Sequence, residues 1–268
     1  MNQTANENFI SSLFSLADCT AVVTGGGSGI GRRIGLALAR AGARVVLIGR
    51  RQTVLQEAAA EIDDRCGDKR AAVLAADVSD LAAAPQIAAQ AASFFGAPSI
   101  LVNAAGINLR TSPDLAESTD GVTIEGWQQT LNTNLGAPFF LSRALVAGMT
   151  SGGSIINIGS MQSLRAGLGD AGYGASKGGI AQLTRLLART WGGQNIRVNA
   201  ILPGYFPSDL TQMLFADPQL SAALAQNTLL GRNGELADMD GAAVFLASPA
   251  SAYITGVLLP IDGGFLAK

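Results

Sequence analysis

Histidine is absent from this 268-residue chain, so the side chain that titrates most readily near neutral pH is missing and any proton chemistry falls to another group. Cysteine is scarce. Cys19 and Cys66 stand far apart without metal-ligand company, which excludes a disulfide framework and reads as two free cytosolic thiols; no metal site is expected. Charge is sparse too, at 14% of residues with a net −2, and gives no reason to expect nucleic acid as a partner. No uninterrupted apolar stretch is long enough to span a bilayer, and no basic segment precedes an apolar signal core. The expectation is a cytoplasmic protein with no membrane partner.

What is present is a core. Apolar residues make up 48% of the chain, ample for one large domain. Residues 1–15, beginning "MNQTANENFISS", are polar and read as a flexible leader; residues 16–268 read as a single domain. Short β-branched runs alternate with alanine-rich helical stretches. Strands are expected at 20–24, 44–49, 71–78, 99–106, 153–160, 196–204 and 256–264. Helices are expected at 30–41, 53–66, 85–95, 123–149, 171–191 and 235–247. The strands are continuous apolar runs, as strands buried on both faces are. Strict alternation predicts an α/β, Rossmann-type doubly wound fold with a seven-stranded parallel sheet flanked by helices.

The turn "TGGGSGIG" (24–31) falls where the first strand hands over to the first helix. Glycines there permit a tight turn and close approach of backbone to a pyrophosphate at the helix N-terminus, which points to Gly25, Gly27, Ser28, Gly29, Ile30 and Gly31. At the end of the second strand an acid would bind ribose hydroxyls; this chain has Gly49 followed by Arg50 and Arg51. Arginine there suits a 2′-phosphate, so NADP(H) is favoured over NAD(H), against the plainer reading of two solvated residues opening a helix. Further on, "AGYGASKGG" places Tyr173 and Lys177 four apart, hence on one helix face. A nearby ammonium favours the phenolate of a tyrosine whose ordinary pKa lies near ~10.

Taken in order, "TGGGSGIG", "ADV", "NAAG", a lone asparagine in a long helix, a serine, Y-x-x-x-K and "PG" resemble the short-chain dehydrogenase/reductase family from about residue 16 to the C-terminus. The resemblance implies an oxidoreductase interconverting a secondary alcohol and a ketone, or a sugar hemiacetal and a lactone. Its catalytic set would be Asn134, Ser160, Tyr173 and Lys177, with Tyr173 as general acid/base, Ser160 holding the substrate oxygen and Asn134 helping to hold a water that links Lys177 to solvent. Its cofactor set adds Asp77, Val78, Asn103, Ala104, Ala105, Gly106, Pro203, Gly204, Phe206 and Ser208, and Lys177 would grip the nicotinamide ribose. Two positions depart from the pattern: Ala104 replaces a second asparagine and Ser208 a threonine.

"PGYF", "LLGRNGEL" and "DGGFLA" look most like the branch acting on sugar acids and polyols, typified by gluconate 5-dehydrogenase. Arg110, Gln162, Arg165 and Tyr205, with Ser160, are the substrate candidates, able to meet a carboxylate or sugar hydroxyls. A 3-oxoacyl-carrier-protein reductase or broad carbonyl reductase is the alternative enzyme, and a non-catalytic NADP(H)-sensing regulator the alternative of another class. By the same resemblance the chain would form a homotetramer.

Overall fold

Five of the strands carry apolar side chains that are buried whichever face they point to, and burial on both faces requires helices above and below. The computed structural model, which describes residues 3–109, 122–167 and 170–268 (backbone alone for 3–8), has this arrangement. Strands β1 (Thr20–Thr24), β2 (Arg44–Gly49), β3 (Ala71–Ala75), β4 (Ile100–Asn103), β5 (Gly153–Ile158), β6 (Ile196–Pro203) and β7 (Leu258–Ile261) pair in the order β3-β2-β1-β4-β5-β6-β7. Every pairing is parallel. The edge strands β3 and β7 are only partly buried, whereas Val22, Val23, Val46, Leu101, Val102 and Ile156 are sealed.

Helices α2 (Gly29–Arg40), α3 (Gln52–Cys66) and α10 (Met239–Ala247) contribute to one face of the core. Helices α4 (Ala84–Phe95), α6 (Ala137–Val146) and α7 (Ala171–Trp191) contribute to the other. The chain winds β1–β2–β3 in one direction, then returns through α4 to place β4 on the other side of β1. That reversal opens a crevice at the carboxyl ends of β1 and β4, where ligands bind in open α/β sheets.

Three elements differ from the sequence reading. Residues Gln3–Phe14, expected to be a loose leader, form helix α1. The expected helix 123–149 is α5 (Ile124–Leu131) joined to α6 by a π-helical turn at Asn132–Gly136. The stretch after β6, which carries no strong periodicity, contains the short helices α8 (Gln212–Ala216) and α9 (Pro218–Gln226). Asp217 starts α9 by accepting from the backbone N–H groups of Gln219 and Leu220, and Pro218 sits at the first turn, where its missing N–H costs nothing.

Candidate active site

The glycine turn is shaped by what its backbone must avoid. Gly25 has φ +65°, and a Cβ there would lie 2.9 Å from the Ala105 backbone. A Cβ on Gly31 would overlap the Gly25 carbonyl oxygen. These positions therefore accept only glycine without rearrangement. Thr24, at the end of β1, completes the arrangement: its Oγ1 accepts from the N–H groups of Ala104 and Ala105, each at 3.1 Å. The segment carrying Ala104 is thus held without the asparagine that the family pattern has there. Helix α2 begins just beyond; the Ser28 side chain makes no cap hydrogen bond to it, and its first residues, Gly29, Ile30 and Gly31, line the crevice.

A cleft of about 580 Å³ opens over this turn, within the range of small-molecule sites. It is lined by Gly25, Gly27, Ser28, Gly29, Ile30, Gly31, Arg50, Arg51, Asp77, Val78, Ala104, Ala105, Gly106, Tyr173, Lys177, Pro203, Gly204, Phe206 and Ser208, all expected from sequence, and by Ser160. Asn103 is the exception, for it does not line the cleft. Its amide lies inside the sheet, donating to Ser142 Oγ at 3.2 Å and Asn157 Oδ1 at 2.9 Å, while Asn157 donates in turn to Thr184 Oγ1. A buried amide in this position ties β4 to β5, α6 and α7 and lies away from the cleft.

Ser160, Tyr173 and Lys177 line the same cleft, with residue exposures of 8%, 9% and 5%. Ser160 sits in extended backbone past β5, at the start of a 3₁₀ turn, where its hydroxyl accepts from Gln162 N at 3.2 Å and lies close enough to Tyr173 to influence its phenol. Tyr173 lies in the first turn of α7, whose N-cap Asp170 accepts from the Tyr173 N–H at 2.6 Å. Lys177, one turn on, donates from Nζ to Ile158 O at 2.8 Å, and its ammonium lies 5.5 Å from the Tyr173 ring centroid.

Burial sets the proton affinities. It pushes the Tyr173 phenol above its ordinary value; the hydrogen bond from Ser160 pulls it back and the Asp170 carboxylate adds to the rise. The sequence reading expects a lowered phenol; in this structure burial raises it instead, and a lowering would have to come from further positive charge in the cleft. Lys177 is shifted by burial as well, down to about 8. Its ammonium is therefore poised near the pH at which it can exchange a proton.

Asn134 is 1% exposed and does not line the cleft. Its Oδ1 accepts from Ile107 N at 2.8 Å, and its Nδ2 donates to Ile107 O at 2.9 Å and to Ser176 Oγ at 3.0 Å. The side chain is thus fully occupied in clamping the loop after β4 to the helix that carries Tyr173. It sits in the π-helical turn, the kind of local widening that recurs at functional sites. A Cβ on Gly106 would lie 3.6 Å from Asn134 Oδ1 and 3.8 Å from Lys177 Nζ, so the two groups flank the same residue.

Of the substrate candidates, Arg110 lies outside the described residues. Gln162, Arg165 and Tyr205 do not line the cleft. Arg165 stacks its guanidinium 5.1 Å from the Phe265 centroid, and Tyr205 meets the same ring edge-on at 5.6 Å. Among the described residues no carboxylate pairs with Arg165. Phe265, Thr24 and Asp170 escape a sequence reading because nothing local marks an aromatic, a threonine or an aspartate as belonging to a site assembled from distant elements.

The family model described as enoyl-(acyl carrier protein) reductase matches residues 25–266. Galactitol 2-dehydrogenase (L-tagatose-forming) of Cereibacter sphaeroides is 41% identical over 258 residues, 94% of this chain and 97% of that one. The chain belongs to the short-chain dehydrogenase/reductase family. Gluconate 5-dehydrogenase of Gluconobacter oxydans (strain 621H) is 37% identical, with 94% of this chain and 96% of that one covered. The crystal structure of a gluconate 5-dehydrogenase from Burkholderia cenocepacia J2315 in complex with NADP and tartrate has a TM-score of 0.88 at 33% identity, covering 97% of this chain and 99% of that one. As a short-chain dehydrogenase/reductase the chain is a nicotinamide-dependent oxidoreductase acting on CH–OH groups. The residues present fit such a cofactor: the glycine cradle excludes side chains, the N-terminus of α2 faces the cleft, and Arg50 and Arg51 stand at its rim.

Proposed function

We propose that this protein interconverts a secondary alcohol and a ketone on a sugar, sugar acid or polyol, using NADP(H), with Tyr173 as the group that gives and takes the proton. The observation that carries this reading is the buried Ser160–Tyr173–Lys177 cluster in the same cleft as a glycine cradle and two arginines.

When bound, the nicotinamide supplies or accepts the hydride. Ser160 donates a hydrogen bond to the substrate oxygen and holds it against the Tyr173 hydroxyl. In the reducing direction Tyr173 delivers its proton to that oxygen; in the oxidising direction it removes the proton. Lys177, beside the phenol ring, stabilises the phenolate and relays the proton onward. Asn134 positions the loop after β4 and, through Ser176, the helix carrying Tyr173.

Substrate class rests on the relatives reported for this chain, a galactitol 2-dehydrogenase and a gluconate 5-dehydrogenase. The NADP(H) preference rests on Arg50 and Arg51 in place of an acid after β2, and on the NADP in the Burkholderia complex. Turnover of polyols, aldonates and 3-oxoacyl thioesters, followed as NADPH absorbance, tests the reading. Polyol or aldonate turnover at higher kcat/KM than the thioester supports it; the reverse would assign 3-oxoacyl-carrier-protein reductase chemistry instead.

A cytoplasmic homotetramer completes the proposal. Among the described residues no helix is long and apolar enough to cross a membrane. Exposed Leu186, Leu229, Leu230 and Tyr253 offer apolar surface for association. Sedimentation equilibrium decides the assembly state.

A further inference from the structure

Two polar side chains that line the cleft, Ser28 and Arg51, already hold an anion. Ser28 Oγ donates to Asp209 Oδ2 at 3.0 Å, and Arg51 Nη2 donates to the same oxygen at 3.0 Å. These donors come from separate elements, Ser28 from the glycine turn before α2 and Arg51 from the residue before α3. Asp209 reaches them from beyond β6, 181 and 158 residues away in sequence. The convergence is built. Phe206 is buried, Ser208 lies against Gly29, and Thr211 closes the turn: Ser208 N donates to Thr211 Oγ1 at 3.0 Å, and Thr211 Oγ1 donates to Phe206 O at 2.5 Å. The Arg51 guanidinium and the Ser28 hydroxyl hold the Asp209 carboxyl below the ordinary carboxylate range, so it is ionised at neutral pH.

We propose that Asp209 is a specificity-determining residue that occupies, from within the chain, the seat of the adenosine 2′-phosphate. A 2′-phosphorylated cofactor must displace it from Ser28 and Arg51; an unphosphorylated one need not. Asp209 thereby narrows the preference for NADP(H) over NAD(H) that the arginines create. The inference rests on the NADP(H) reading. The side chains of Arg51 and Asp209 are 63% and 67% exposed, so solvent screens the pair and the effect is modest, about three- to fivefold in affinity.

The test uses cofactor fragments without a nicotinamide, so it does not depend on turnover. Isothermal titration of wild type, Asp209→Asn and Asp209→Ala with adenosine 2′,5′-bisphosphate and with 5′-AMP, at low ionic strength, gives a ratio of dissociation constants for each protein. Both variants should bind the bisphosphate about three- to fivefold more tightly and 5′-AMP within about twofold of wild type. The gain should vanish at 1 M salt, where the screening length is about 3 Å. An unchanged or lowered preference for the bisphosphate in both variants overturns the proposal. If wild type does not prefer the bisphosphate but the variants do, Asp209 stands and the NADP(H) reading of the native enzyme falls; if none prefers it, both fall.

Discussion

Replacing Lys177 by methionine should change how stability depends on pH, by an amount that follows from its burial. Lys177 is 5% exposed and its pKa falls from 10.5 to about 8 because burial disfavours the charge. In the unfolded chain the same group titrates at its ordinary value. Below pH ~8 the lysine is charged in both states, and folding bears the full cost of burying it. Between about 8 and 10.5 the folded protein releases the proton while the unfolded chain keeps it, so stability rises with pH; above that window the cost is gone. At about 1.4 kcal/mol for each pH unit, the wild type should gain about 3 kcal/mol relative to Lys177→Met across the window. Urea denaturation of both proteins, without cofactor, at pH 7.5, 8.5, 9.5 and 10 measures the difference, in which the other titrating groups largely cancel. A difference that is flat with pH would show that the lysine is solvated, and would remove the basis for placing its ammonium against Tyr173.

Other consequences follow from the same geometry. Ser160→Ala should lower kcat about 10²- to 10³-fold, with NADPH affinity by fluorescence titration within about twofold of wild type, because the hydroxyl serves the reacting oxygen. Asn134→Ala should destabilise the fold by about 2–4 kcal/mol in urea titration, since it leaves the half-buried backbone of Ile107 and the buried Ser176 without their partner. Gly31→Ala places a methyl group on the Gly25 carbonyl and should weaken NADPH binding at least about tenfold, that is by ~1.4 kcal/mol, in the same titration.

The sheet was legible because its strands are buried on both faces and interrupted by glycine-rich turns. Strand ends were less so. The apolar runs 71–78, 99–106 and 153–160 read as strand throughout, yet pairing stops at Ala75, Asn103 and Ile158. The remaining small residues in those runs leave the sheet to line the cleft, and composition alone does not distinguish a small-residue tail from paired strand. Tyr173 and Lys177 were legible as a pair because four-residue spacing on a helix fixes their common face. Asn103 and Asn134 show the opposite case. Both were expected to serve the cofactor or the proton relay, and both spend their amides on other protein groups. Sequence motifs mark such positions without showing where the amide points. Asp209 and Phe265 meet their partners only through folding, across more than a hundred residues in the case of Asp209, and no local pattern announces them.

Tyr173→Phe tests the central claim most directly, because it removes one hydroxyl from a buried ring and leaves the packing in place. The kcat/KM for the best substrate of the panel should fall at least about 10³-fold, a loss of ~4 kcal/mol of transition-state stabilisation, while the NADPH dissociation constant stays within about twofold of wild type. A variant that keeps a tenth or more of wild-type kcat/KM would contradict the account, since no proton would then need to pass through Tyr173.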